Sequence, residues 1–166
     1  MVEGRAREGH VKNLLFVCTA NVCRSPMAEA IFNALAEEKG LRWRAASAGV
    51  AALEGEDITL NARAALEEVG IYPEGHRARQ VSEAMLEEAE LVLVMSPRHV
   101  RALRRRSGNL SAEVYTLPEY ATGISSEEGI PDPYGHTMAT FRASVRQLLS
   151  YVDKVVERLE REKVFG

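Results

Sequence analysis

A chain of 166 residues is one domain's worth of sequence, and at that size folding buries about 70% of the unfolded surface, enough to dispense with disulfides or a structural metal. With 46% hydrophobic and 27% charged residues and a formal net charge of −3, the composition is that of an ordinary globular protein and argues against a dedicated nucleic-acid binder. Two cysteines in one short segment make no secreted disulfide framework, and no stretch approaches the roughly 18 uninterrupted apolar residues of a membrane span; the expected setting is cytoplasmic, with neither membrane nor nucleic acid as partner.

Residues 1–12 are polar, contain glycine and lack an apolar core, and they read as a disordered leader before a single domain over 13–166. Leu14-Leu15-Phe16-Val17 predicts a first strand. Met27, Ala30, Ile31, Ala34 and Leu35 then recur at helical spacing, with Ser25 as candidate N-cap, Pro26 at the first helical position and Gly40 as the stop. Trp43–Ser47 predicts a second strand ending at Gly49, and Leu60, Ala64, Ala65 and Val69 a helix closed by Gly70. A short strand is expected near Ala78–Val81, a capped short helix at Ser82–Leu86, and a strand covered on both faces at the apolar run Leu91–Met95. Arg98–Arg106 reads helical and Val114–Leu117 as the last strand. Phe141, Val145, Leu148, Leu149, Val152, Val156 and Leu159 mark one apolar stripe along a final helix. Strands alternating with helices predict an α/β three-layer sandwich, a parallel sheet with helices on both faces. Ligands in such folds bind beyond the carboxyl ends of the strands, where Cys18 falls.

Cys18-Thr19-Ala20-Asn21-Val22-Cys23-Arg24-Ser25-Pro26 joins that first strand to the first helix. A strand–loop–helix junction collects outward-pointing N–H groups and the positive end of a helix dipole, which favour a bound oxyanion. A cysteine there stands where its nucleophilic thiolate form is stabilised, and Arg24 supplies a planar fork for two phosphate oxygens. The residues propose attack by sulfur on a bound phosphoryl group. Such a transfer needs an acid for the departing atom, and Asp132, stiffened between Pro131 and Pro133, is the candidate. A small buried core cysteine is the plainer reading of Cys18, and the partners around it disfavour that.

These residues resemble the low-molecular-weight protein tyrosine phosphatases over roughly 13–160. The resemblance rests on Val17 to Glu29, on Ser47-Ala48-Gly49, on His76-Arg77-Ala78-Arg79-Gln80 and on Asp132-Pro133-Tyr134. It implies a four-stranded parallel sheet with flanking helices and a two-step hydrolysis without metal or other cofactor. Cys18 would form a phosphocysteine intermediate and Arg24 would bind the equatorial oxygens. Backbone N–H groups of Thr19, Ala20, Asn21, Val22, Cys23, Arg24 and Ser25 would cradle the same oxygens, and Ser25 would hydrogen-bond the departing sulfur. Asn21, Ser47 and His76 would hold the loop, Asp132 would serve first as acid and then as base, and Val22 and Tyr134 would border the substrate. Phosphorylated proteins are the implied substrates and inorganic phosphate the product.

Tyrosine-directed members commonly carry a second tyrosine where Gly135 stands, and an aromatic soon after Ser-Ala-Gly where Val50, Ala51, Ala52 and Leu53 stand here. The related arginine phosphatases share a pattern like Thr116–Gly123 but have threonine at the place of Val22, and valine cannot hydrogen-bond a guanidinium group. Val22 and the His76 motif favour phosphotyrosine, with phosphoarginine as the rival. An arsenate reductase would need a cysteine after Cys23, and a non-catalytic phosphoprotein-binding module would need neither Cys18 nor Asp132. Ser96 replaces an acidic residue common in the family, which predicts looser support for the loop. Cys23 could form a reversible disulfide with Cys18. His10, His76, His99 and His136 are too scattered for a zinc site, and Arg101, Arg104, Arg105 and Arg106 read as a solvated helix face.

Overall fold

The computed structural model describes residues 10–108, 110, 112–125 and 127–165, the last three by backbone alone. Among the described residues four strands run β1 Lys12–Cys18, β2 Trp43–Gly49, β3 Leu91–Val94 and β4 Glu113–Thr116. Among the described residues six helices are interleaved with them, α1 Arg24–Glu38, α2 Leu60–Glu68, α3 Glu83–Glu88, α4 Pro97–Arg106, α5 Leu117–Thr122 and α6 Met138–Phe165. All strand pairings are parallel, in the order β2-β1-β3-β4.

Side chains alternate across a strand, and β1 shows how that divides the interior. Leu14, Phe16 and Cys18 face a core built with α1, α2 and α6, while Leu15 and Val17 face a smaller one closed by Leu86 of α3 and Leu103 of α4. A strand buried on both faces reads as a continuous apolar run, and Leu91–Val94 does so with every residue buried. The long helix α6 lays Phe141, Val145, Leu148, Val152, Val155, Val156 and Leu159 on the larger core, with Leu149 half-buried at its edge. No helix among the described residues is long and apolar enough to cross a membrane.

The expected sandwich is present, with differences at the ends of elements. The proposed leader falls mostly at residues 1–9, outside the described residues, and β1 begins at Lys12, where the leader was expected to end. Leu117 opens α5 instead of closing β4, because Pro118 takes an early helical position while Thr116 accepts from the Glu119 N–H at 3.2 Å. No strand forms at Ala78–Val81. Its backbone bonds the end of β2 through Gly49 and the loop at Gly55 and Glu56, leaving one isolated bridge at Gln80.

Sheet order places the site. The chain leaves β1 toward β2 on one side and reaches β3 on the other, so the C-terminal end of β1 is a switch point, where a crevice opens above the sheet. Cys18 is the last residue of β1, in register with Gly49.

Candidate active site

From Cys18 the chain turns through Thr19–Cys23 and enters α1 at Arg24. Cys23 holds the cap position and makes no side-chain cap bond. Ser25 therefore is not the N-cap. Its hydroxyl is drawn inward, 2.9 Å from Cys18 Sγ. Asn21 stands at φ +61°, the left-handed region that asparagine tolerates better than most residues. Its Nδ2 donates to Ser25 Oγ at 2.8 Å and to Ser47 Oγ at 2.9 Å, its Oδ1 accepts from the Arg79 N–H at 3.0 Å, and its backbone N–H points to Cys18 Sγ at 3.3 Å. Beyond Ser47 the hydroxyl donates to Glu29 of α1 at 2.6 Å. His76 Nε2 lies 2.8 Å from the Asn21 carbonyl oxygen. The loop is thereby tied to α1, to β2 and to the 76–79 segment.

Close approach makes this possible. A Cβ on Gly49 would stand 2.4 Å from the Thr19 carbonyl oxygen and 3.1 Å from Asn21 N, and without one the Val50 and Ala51 N–H groups reach the carbonyls of Cys18 and Thr19 at 3.0 and 2.9 Å.

Arg24 folds back beneath the loop, its side chain only 3% exposed. Nη1 donates to the Ile130 carbonyl at 3.1 Å, and Nη2 reaches Thr19 Oγ1 at 3.4 Å and Asp132 Oδ2 at 3.6 Å. Asp132 itself is half-exposed and braced by an Asx turn, its Oδ1 accepting from the Tyr134 N–H at 3.1 Å. Cys18, Thr19, Ala20, Asn21, Val22, Cys23, Arg24, Asp132 and Tyr134 all line one cavity of about 520 Å³. Ser25, Ser47 and His76 stand behind its wall and act on it through Asn21 and Cys18.

The cavity extends past the residues expected of it, to Ala51 and Leu53, which stand where related enzymes carry an aromatic, and on to the 56–60 segment. Ala51, Leu53, Ile58 and Leu60 supply apolar wall, and Glu56 and Asp57 acidic rim. Leu53 and Leu60 lie exposed at the mouth, 72% and 82%. Asp57 is held below the usual carboxylate range, first by the Ile58 N–H and then by Arg63 and Arg77. Burial pushes the Cys23 thiol up to about 11, against a hydrogen bond with Thr59 that works the other way. His99, set aside as scattered, is 1% exposed and lies 2.9 Å from Thr19 Oγ1 through Nε2. Ser96, standing where an acidic residue was expected, caps α4 and meets His99 Nδ1 with its N–H at 3.1 Å and its hydroxyl at 3.2 Å. The Ser-x-x-His spacing at a helix start was the available signal.

A thiol at the end of β1, lining one cavity with the Arg24 guanidinium and the Asp132 carboxyl, is a set equipped to take a phosphoryl group onto sulfur, and the fold and the pocket are those of a cysteine-dependent phosphatase. Residues 13–164 match the model of the family described as low molecular weight phosphotyrosine protein phosphatase, and the chain belongs to that family. It is 34% identical over 151 residues to a protein-arginine-phosphatase of Bacillus subtilis, covering 91% of this chain and 99% of the relative. It is 39% identical over 125 residues to a low molecular weight protein-tyrosine-phosphatase of Streptomyces coelicolor, covering 72% and 76%. Among solved structures it resembles the YwlE arginine phosphatase, in a cysteine-to-serine mutant with a phosphorylated active-site serine, at TM-score 0.87 and 33% identity over 93% of this chain and 99% of that one.

Proposed function

We propose that this phosphatase hydrolyses phosphotyrosine in proteins through a phosphocysteine on Cys18. The carrying observation is the cavity itself, in which Cys18 and Arg24 share the floor with the loop while Val22, Ile58, Leu53, Leu60 and Tyr134 form walls suited to an aromatic ring. In the first step Cys18 thiolate attacks phosphorus, the S–P bond forms and the ester P–O bond breaks. Protonated Asp132 gives its proton to the departing phenolate oxygen. Arg24 and the loop N–H groups take up charge on the equatorial oxygens as it shifts. In the second step the Asp132 carboxylate takes a proton from water, the water oxygen attacks phosphorus, and the S–P bond breaks. Inorganic phosphate leaves and the thiolate is restored, with the Ser25 hydroxyl at 2.9 Å to receive its charge. A nucleophilic thiol beside a second free thiol is suited to a reducing compartment, and we place the enzyme in the cytoplasm.

The test sets phosphotyrosine and phosphoarginine peptides side by side, with p-nitrophenyl phosphate as a neutral probe. Faster turnover of phosphotyrosine is expected, with Cys18→Ser inactive yet still binding phosphate. A Cys18→Ser protein as active as wild type would overturn the mechanism. Phosphoarginine is the second reading, favoured by the relative named above and by Glu56 and Asp57 at the rim; a preference for that peptide would establish it.

A further inference from the structure

Besides its ion pair with Asp132 at 3.6 Å, two hydrogen bonds hold the Arg24 guanidinium, and both lead to the junction between β3 and α4. Nη1 donates to the Ile130 carbonyl at 3.1 Å, and the Ile130 N–H is fixed on the Met95 carbonyl at 2.7 Å. Nη2 reaches Thr19 Oγ1 at 3.4 Å, and that hydroxyl lies 2.9 Å from His99 Nε2. The ring has one tautomer open to it in this arrangement. The Ser96 backbone N–H donates to Nδ1 at 3.1 Å, with the Ser96 hydroxyl 3.2 Å from the same atom. An N–H can only donate, so Nδ1 is the acceptor and the proton sits on Nε2. Nε2–H then donates to Thr19 Oγ1, which accepts from Arg24 as well. Burial, with Arg24 and Arg98 nearby, lowers the His99 pKa to about 4, keeping the ring neutral at working pH.

We propose that His99 is a positioning residue of the phosphate loop: by donating from Nε2 to Thr19 it fixes the Thr19 hydroxyl, and through it the orientation of the Arg24 fork toward the transferring phosphoryl group. The histidine does not touch substrate. It acts over a distance of 80 residues in sequence, from the helix start that replaces the acidic residue expected at Ser96. This inference rests on the phosphatase reading of the same site.

Its effect belongs to the transition state, because a misaimed guanidinium still attracts a dianion but no longer matches the trigonal oxygens. Turnover of p-nitrophenyl phosphate by His99→Phe, which keeps a ring of similar size without the donor, is therefore expected to show kcat lowered about tenfold with KM changed less than about threefold. Thr19→Val should lose a similar factor. The double variant should be within about twofold of the worse single one, since both break one path. His99→Gln, whose amide nitrogen can stand where Nε2 stands, should recover most of the rate. Should His99→Phe not fold, His99→Gln is compared with wild type in the Thr19→Val background, where the two must be equal.

Unchanged kcat in folded His99→Phe, losses that multiply in the double variant, or failure of glutamine to rescue would each overturn the assignment. Wild-type protein that does not hydrolyse p-nitrophenyl phosphate would overturn the phosphatase reading instead. The two failures are thus separate.

Discussion

Asn21 is the residue on which the loop's shape depends. It combines a left-handed backbone with three side-chain hydrogen bonds to Ser25, Ser47 and Arg79. At about 1 kcal/mol net for each bond, with buried partners left unsatisfied, Asn21→Ala should destabilise the fold by roughly 2–4 kcal/mol in urea unfolding and lower turnover more than tenfold. A variant within about 1 kcal/mol of wild type would show that the network is not structural. Val22 tests substrate choice one residue on. Its side chain lines the cavity without a polar atom, so Val22→Thr, equal in shape, should move the ratio of phosphoarginine to phosphotyrosine turnover upward; an unchanged ratio would remove this position as the selector. Cys23 adds a redox prediction. With its thiol pushed up to about 11 by burial, it holds its proton at neutral pH and closes a disulfide slowly. Peroxide inactivation should be reversed by dithiothreitol, and the reversible fraction should grow between pH 7 and 9 and vanish in Cys23→Ser. Irreversible loss from the first equivalent of peroxide, or reversibility without Cys23, would contradict it.

At the level of elements, the β1–loop–α1 unit was readable because its chemistry is local. An apolar run, a cysteine, an arginine and a proline at a helix start lie within the thirteen residues from Leu14 to Pro26. Periodicity also served in α6, where one face is buried along its length, and the unbroken apolar run served in β3, buried on both faces. It failed at Ala78–Val81, where bonding is to the end of one strand and to a loop rather than along a ladder, and at Leu117–Thr122, a helix of six residues too short to show a period. Ser25 misled for another reason. Serine beside proline is good cap chemistry, but the hydroxyl is spent on the sulfur. Elements also meet the loop through glycine. Gly49→Ala would set a Cβ 2.4 Å from the Thr19 carbonyl, backbone against backbone, and overpacking of that kind costs about 1–3 kcal/mol. The displaced loop should lose most of its activity. Gly40→Ala is the control: at φ +63° with nothing within 4 Å of the added carbon, it costs about 1–2 kcal/mol of left-handed strain and should leave kcat alone. Equal activity in the two variants would mean that the close approach at Gly49 does not shape the loop.

Over the whole molecule the site is assembled from segments remote in sequence, since Thr19 meets His99 and Arg24 meets Ile130 across 80 and 106 positions. The Ser-x-x-His spacing marks His99 as part of a helix start but not the loop it meets, whereas the chemistry around Cys18 is local. Burial of His99 carries a consequence for global stability. In the unfolded chain the ring titrates near the ordinary value of 6.5; in the fold, burial first and then Arg24 and Arg98 lower it to about 4, with Asp132 opposing. Between those values the unfolded chain binds a proton that the folded one refuses, so stability falls as pH drops from about 6.5, and the loss is complete below about 4, where both states are protonated. Carboxylates held low, Asp57 and Glu68, add their own losses from about their ordinary values of 3.8 and 4.5 downward, at the acid end of that window and below it. Melting temperature measured from pH 7 to 4.5 should therefore decline in wild type and decline less in His99→Gln, which keeps the donor to Thr19 and cannot titrate. Parallel curves for the two proteins would mean that the histidine enters acid unfolding at no point in this window, and that its ring is protonated as readily inside the fold as outside it.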